Sequence, residues 1–136
     1  MPEKKTLERA RKAKREGKAP STQAGEFVRE EMEHIREGKH GARSTKQAIA
    51  IGLSKARRAG VKLKPPGRGE ASARTRKSAE RAYRAGQSGI HKKPSSKRSR
   101  ASLRTLEHEG KRAASHEALS RHARSAAARR RRRATT

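Results

Sequence analysis

Between residues 20 and 37 the chain carries five glutamates and two arginines, the only acidic segment in a sequence whose formal net charge is +26. Charge on this scale limits the possible folds more than any other feature, because self-repulsion opposes compaction unless acids within the chain or a polyanion outside it neutralise it. Every other segment is basic: net +5 over residues 1–19, +9 over 38–69 and +15 over 70–136. Only 29% of the 136 residues are apolar and 1% aromatic, and many of the apolar ones are alanine, so most of the chain has little surface to set against its conformational entropy. The expected fold class is all-α: a small helical hairpin core over 20–63, a basic N-terminal arm over 1–19, and a basic low-complexity region with short helices over 64–136. Both arms are expected to be largely disordered or conditionally helical.

The arm "KKTLERARKAKREG" reads as a short basic helix closed by Gly17. A second helix is predicted over Ser21–Glu37, started by Pro20 with Ser21 or Thr22 and stopped by Gly38. Ala24, Val28, Met32 and Ile35 recur at helical spacing on one face with Phe27 beside them, and Glu26, Glu30, Glu33 and Glu37 recur on another. "GKHGARS" is predicted to be a flexible turn. "STKQAIAIGLSKARRAG" then opens with Ser44 and Gln47 in the S-x-x-Q form of a capping box and ends at Gly60. Ile49, Leu53 and Ala56 make its apolar stripe, and Ile51 points roughly the other way. Gly52 costs a helix about 1 kcal/mol relative to Ala, a cost that makes sense where another helix crosses closely. The predicted core is therefore Phe27, Val28, Met32, Ile35, Ile49 and Leu53. An isolated hairpin of this size is marginal, so self-association into a homo-oligomer, docking of a basic helix on the Glu face, or folding on a polyanion is expected to support it.

Downstream, "VKLKPPGRG" reads as a linker and residues 70–85 as an Ala/Arg helix containing Tyr83. "GQSGIHKKPSSKRSR" is predicted to break that helix. Two further helix-prone stretches, 99–109 and 115–128, offer Leu103, Leu106 and Leu119 as anchors, and the chain closes on the low-complexity run "AAARRRRRATT".

Several chemistries are excluded by residue type. There is no Cys, hence no disulfide, thiolate nucleophile or Cys-based zinc site. All 13 acids are Glu, and without Asp or Asn the usual Mg²⁺ and Ca²⁺ loops cannot be built. "HEALSRH" sets His116 and His122 six apart where the metalloprotease motif needs four, and "PGRGEASART" lacks the phosphate-loop G-K-[ST]. The Glu stripe reads as exposed, ungrouped with any His cluster and paired with surrounding Lys and Arg. No enzyme activity, catalytic residue, metal or cofactor is expected. No apolar run approaches the roughly 18 residues of a membrane span, and no apolar signal core follows the basic start, so the expectation is a cytoplasmic protein with no membrane partner.

The positive charge points to a partner class. Lys and Arg that neutralise phosphates release condensed counterions, giving tight, salt-sensitive and largely sequence-independent binding. Candidate contacts are Lys46, Lys55, Arg57, Arg58, Lys62 and Lys64 on and after the third helix, and Arg129, Arg130, Arg131, Arg132 and Arg133 in the tail. A sequence-reading helix-turn-helix is weakly supported, since the link from Gly38 to Arg43 is long and only three Gln are available to read adenine. Phe27 and Tyr83 are too few aromatics for a base-stacking platform.

At "GEFVREEMEHIREGKHGARSTKQAIAIGLSKARRAGVKL", Gly25–Leu63, the sequence resembles a family of small basic bacterial proteins built around a KQAIAIGLS-A-R core, with a histone H1-like Ala/Arg-rich tail. The resemblance implies DNA binding or plasmid stabilisation and transfers no site residues. The expected function is non-enzymatic DNA binding of nucleoid or plasmid-maintenance type. The rivals are a ribosome- or RNA-associated protein and a maintenance-system component that binds a protein through its Glu-faced helix.

Overall fold

The computed structural model describes residues 2–89 and 95–134. The described residues form α1 (Lys4–Arg15), α2 (Pro20–Arg36), α3 (Thr45–Arg58), α4 (Ala73–Ser88), α5 (Ser96–Glu107), a 3-10 turn (Arg112–Ala114) and α6 (His116–Ala134). Apart from one isolated bridge between Arg68 and Ala71, no strand pairing occurs among them, and the fold is all-α as expected. No described helix is long and apolar enough to cross a membrane.

Local chemistry sets the helix ends. Gly17, Gly38 and Gly60 follow the first three helices with φ of 74°, 81° and 99°, the left-handed conformation that glycine adopts without strain. At the start of α2, Ala19 is the cap and makes no side-chain bond. Ser21 and Thr22 are not caps there, because Pro20, with its φ already fixed for a helix, takes the first helical position. The start of α3 is a close relative of the expected capping box. Ser44 Oγ accepts from Gln47 N at 3.1 Å, while Gln47 Oε1 accepts at 2.7 Å from the N–H of Arg43, one residue before the cap.

Helices α2 and α3 form an antiparallel hairpin with an apolar cluster toward each end. Met32, Ile35, Ala42, Ala48, Ala113 and Ala114 make one, with Val28, Ile49 and Leu119 packed against it. Ala10, Ala24, Phe27, Ala56 and Val61 make the other, with Leu7, Leu53 and Leu63 around it. All six predicted core residues lie in these clusters or against them. Between the clusters the two helices touch backbone to backbone: a Cβ on Gly52 would stand 2.7 Å from Val28 Cα and 2.9 Å from Val28 N. This is the close crossing that the glycine anticipated.

Within the described residues the arms, expected to be largely disordered or conditionally helical, are helical, and α1, α4 and the start of α6 pack against the hairpin. Helix α1 docks on the Glu-bearing side of α2, where Glu30 Oε1 accepts from Glu3 N at 2.6 Å and from Thr6 Oγ1 at 3.1 Å. Of the three supports expected for a marginal hairpin, the chain supplies the basic helix itself. On the other side, Thr45 Oγ1 donates to the Ala113 carbonyl at 2.7 Å and Arg36 Nε donates to the Ala114 carbonyl at 3.0 Å, which seats the 3-10 turn and Leu119 over Ile35. Helix α4 buries Ala79 and Ala82 and crosses the end of α3 so closely that a Cβ on Gly86 would collide with the Arg57 carbonyl. Small residues make this packing possible, and alanine counts for little in a composition-based estimate of burial.

Two expected loops are also tied down. In the 38–44 turn, Gly41 N donates to Leu106 O at 2.7 Å and Ala42 N to Gly110 O at 3.2 Å, and both residues are buried. In the predicted linker, Val61 is buried and Leu63 packs on the Phe27 cluster. By contrast α5 buries no residue, and its expected anchor Leu103 is 47% exposed. The predicted break over 86–100 is shorter than expected: α4 runs on through Ser88 to the left-handed Gly89, α5 already begins at Ser96, and residues 90–94 lie outside the described residues.

Candidate nucleic-acid interface

The first turn of α3 and the second half of α6 face each other across an open groove, closed at one side by residues 70–75. Arg43, Lys46 and Gln47 line it from one wall and Arg129, Arg130 and Arg133 from the other, with Glu70 as the one acid among its lining residues. Arg121 and His122 continue the basic lining toward the N-terminal end of α6, beside Ser44 and Lys46. Chain topology produces this convergence: the 3-10 turn anchored on Thr45 aims α6 back along the start of α3. The positive end of the α3 dipole lies at the same groove.

The predicted contact residues separate into three groups. Lys46, Arg129, Arg130 and Arg133 meet in the groove, with Arg131 and Arg132 exposed on the same turns of α6. Arg58, Lys62 and Lys64 are exposed but lie at or beyond the opposite end of α3, Arg58 about 18 Å along its axis from Lys46 at 1.5 Å per residue. Lys55 and Arg57 belong to the fold. Lys55 Nζ pairs with Glu31 Oε1. Arg57 is buried, donating from Nε to Leu63 O at 3.1 Å and from Nη2 to Lys64 O at 3.2 Å, and burial lowers its pKa from the ordinary arginine value. Arg43 and Arg121 share the groove and were not singled out in the sequence. Only their charge marked them, and charge is everywhere in this chain.

The Glu stripe is not the exposed, isolated set that helical periodicity implies. Glu31, outside the stripe, is fully buried; within the stripe Glu30 is 2% exposed, and Glu33 pairs with Arg29 at 3.2 Å and Lys5 at 4.0 Å. Alpha-helical spacing assigned them to the polar face, and the docking of α1 and the fold of the 38–44 turn cover that face. Glu3 reaches back to His34 Nε2 at 3.1 Å and Lys39 Nζ at 3.4 Å; the His34 hydrogen bond is the main cause that holds its carboxyl below the usual range. The bonds to Glu3 and Glu37 raise Lys39 in turn.

The histidines expected to stand apart from these acids are among them. Glu31, His34 and His40 bring three ligand-type atoms within 4.8 Å of one another, and Glu3, Glu30 and His34 form a second such group. Glu31 and His34 sit three apart on one face of α2, and the anchored turn returns His40 to the same place. His40 Nε2 lies 3.3 Å from Glu31 Oε2, its Nδ1 lies 2.9 Å from Gly41 O, and the His34 and His40 rings meet edge to face.

No curated protein and no solved structure matches the chain. Residues 11–68, from the second half of α1 through the α2–α3 hairpin to the segment that packs beneath it, match a family of unknown function, DUF6496.

Proposed function

We propose that the protein binds DNA without catalysis and largely without regard to sequence, through phosphate neutralisation centred on the groove between α3 and α6. The observation that carries this reading is the meeting of Arg43 and Lys46 with Arg129, Arg130 and Arg133, more than eighty residues away in sequence, around one opening. Guanidinium groups suit phosphate oxygens bidentately, and a helix N-terminus adds backbone donors for the same charge. Lys55 and Arg57 are excluded from the interface, because their side chains hold the core together. Of the Glu-faced helix, Glu30 is buried beneath α1, which leaves less of that face open to a protein partner.

The conditional part of the fold falls on α5 and α6. Neither buries a residue, and the last turn of α6 is a run of arginines whose mutual repulsion works against the helix. DNA relieves that repulsion, so helix content rises on binding. A coating role on chromosomal or plasmid DNA follows from contacts that read backbone and not bases.

The test is affinity for random duplex DNA across a salt series, with structured RNA as competitor. Log affinity is expected to fall linearly with log salt, by about 0.9 for each phosphate neutralised. DNA should compete at least as well as RNA. Weak, salt-insensitive DNA binding would overturn the proposal, and strong preference for structured RNA would replace DNA with RNA as the ligand.

A further inference from the structure

We propose that Glu31, His34 and His40 form a binding site for a zinc-type divalent cation. One oxygen of Glu31, Oε1, takes the Lys55 ammonium, while the other, Oε2, is buried without a hydrogen-bond partner. A buried carboxylate oxygen left in that condition is costly, and in this molecule it is aimed at two imidazoles. The His40 ring is oriented by Nδ1, which donates to the Gly41 carbonyl at 2.9 Å and leaves Nε2 with its lone pair, 3.3 Å from Glu31 Oε2. Two lone pairs 3.3 Å apart repel unless something positive lies between them.

That separation matches the ligand-to-ligand edge of a tetrahedral zinc site, about 3.3 Å when each donor stands near 2.0–2.2 Å from the metal. The surroundings also suit a metal. An imidazole whose other nitrogen donates to a backbone carbonyl or a carboxylate is how metal-bound histidines are held, and His40 and His34 make those two contacts, with Gly41 O and with Glu3. Two imidazoles and one carboxylate select zinc and its first-row neighbours over Ca²⁺ or Mg²⁺, which require shells of oxygen. The bound ion would tie the end of α2 to the 38–44 turn and, through Gly41, to residues 106–110. The rival account of the same geometry is a proton on His40 Nε2, making a plain ion pair.

Titration of the full chain with Zn²⁺, followed by calorimetry and by the visible absorption of Co²⁺ as a tetrahedral probe, separates the two. One equivalent should bind and raise the thermal midpoint, and His40→Gln and His34→Gln should each weaken binding at least tenfold. His40→Gln changes a turn residue, and its helical circular dichroism, compared with the parent chain, shows whether it folds. Glu31→Gln should abolish the tetrahedral Co²⁺ spectrum, whereas the paired change His116→Gln and His122→Gln on α6 should leave binding within twofold of the parent. Zinc binding no tighter to the parent than to folded His40→Gln would overturn the proposal and leave the protonated ion pair as the account of the cluster.

Discussion

At position 52 the backbone of α3 lies so close to Val28 that a methyl group has no room, whereas at Gly25, on the exposed side of α2, a Cβ would meet nothing within 4 Å. The same substitution should therefore have opposite signs. Gly25→Ala is expected to stabilise the protein by up to about 1 kcal/mol through helix propensity. Gly52→Ala is expected to lose about 2 kcal/mol, the overpacking cost exceeding the propensity gain. Urea midpoints of the two variants check both. Arg57 is separable in a similar way, because Arg57→Lys keeps the charge and loses the geometry that reaches two carbonyls. It should lower stability by about 2–3 kcal/mol and leave the salt dependence of DNA binding unchanged. Gly52 could be interpreted in the sequence, since a glycine amid Ile49, Ile51 and Leu53 needs a packing reason. The role of Arg57 could not, because nothing in "KARRAG" distinguishes an arginine that bonds its own downstream carbonyls from one that faces solvent.

Among the elements, the hairpin was legible and its cover was not. Apolar residues at helical spacing and the glycine stops defined α2 and α3 to within a residue or two of their observed bounds. Besides Leu7 and the expected anchor Leu119, the covering elements contact them through Ala10, Ala113, Ala114 and Thr6, residues too small or too polar to register as anchors. The Glu–His cluster was invisible for a related reason: its ligands are three and nine residues apart across a turn whose path is set by hydrogen bonds to residues 106 and 110. Burial should also rank the elements dynamically. Amides of α2, between the two apolar clusters, are expected to exchange with solvent slowest. Those of α5, which buries nothing, should exchange within one or two orders of magnitude of unfolded-chain rates, as hydrogen-exchange mass spectrometry would show. Thr45→Val, which removes the hydroxyl donor to Ala113, should cost about 1 kcal/mol and speed exchange at the start of α6.

For the whole molecule, a net charge of +26 predicts a polyanion partner without saying where it sits. The fold narrows this, since it withdraws Lys55 and Arg57 into the core, leaves Lys62 and Lys64 at the far end of α3, and collects Arg43, Lys46, Arg129, Arg130 and Arg133 at one groove. The most direct test of that claim compares two variants carrying the same loss of charge. One changes Lys46, Arg129, Arg130 and Arg133 to Gln in the groove; the other changes Lys97, Arg98, Arg100 and Arg104 to Gln on the exposed surface of α5. If the groove holds the phosphates, the first should reduce the slope of log affinity for duplex DNA against log salt by up to about 3.6, at about 0.9 per contact, and the second by less than about 1. Equal reductions in the two variants would contradict the account, showing that DNA responds to the total charge of the chain and not to the surface its fold assembles.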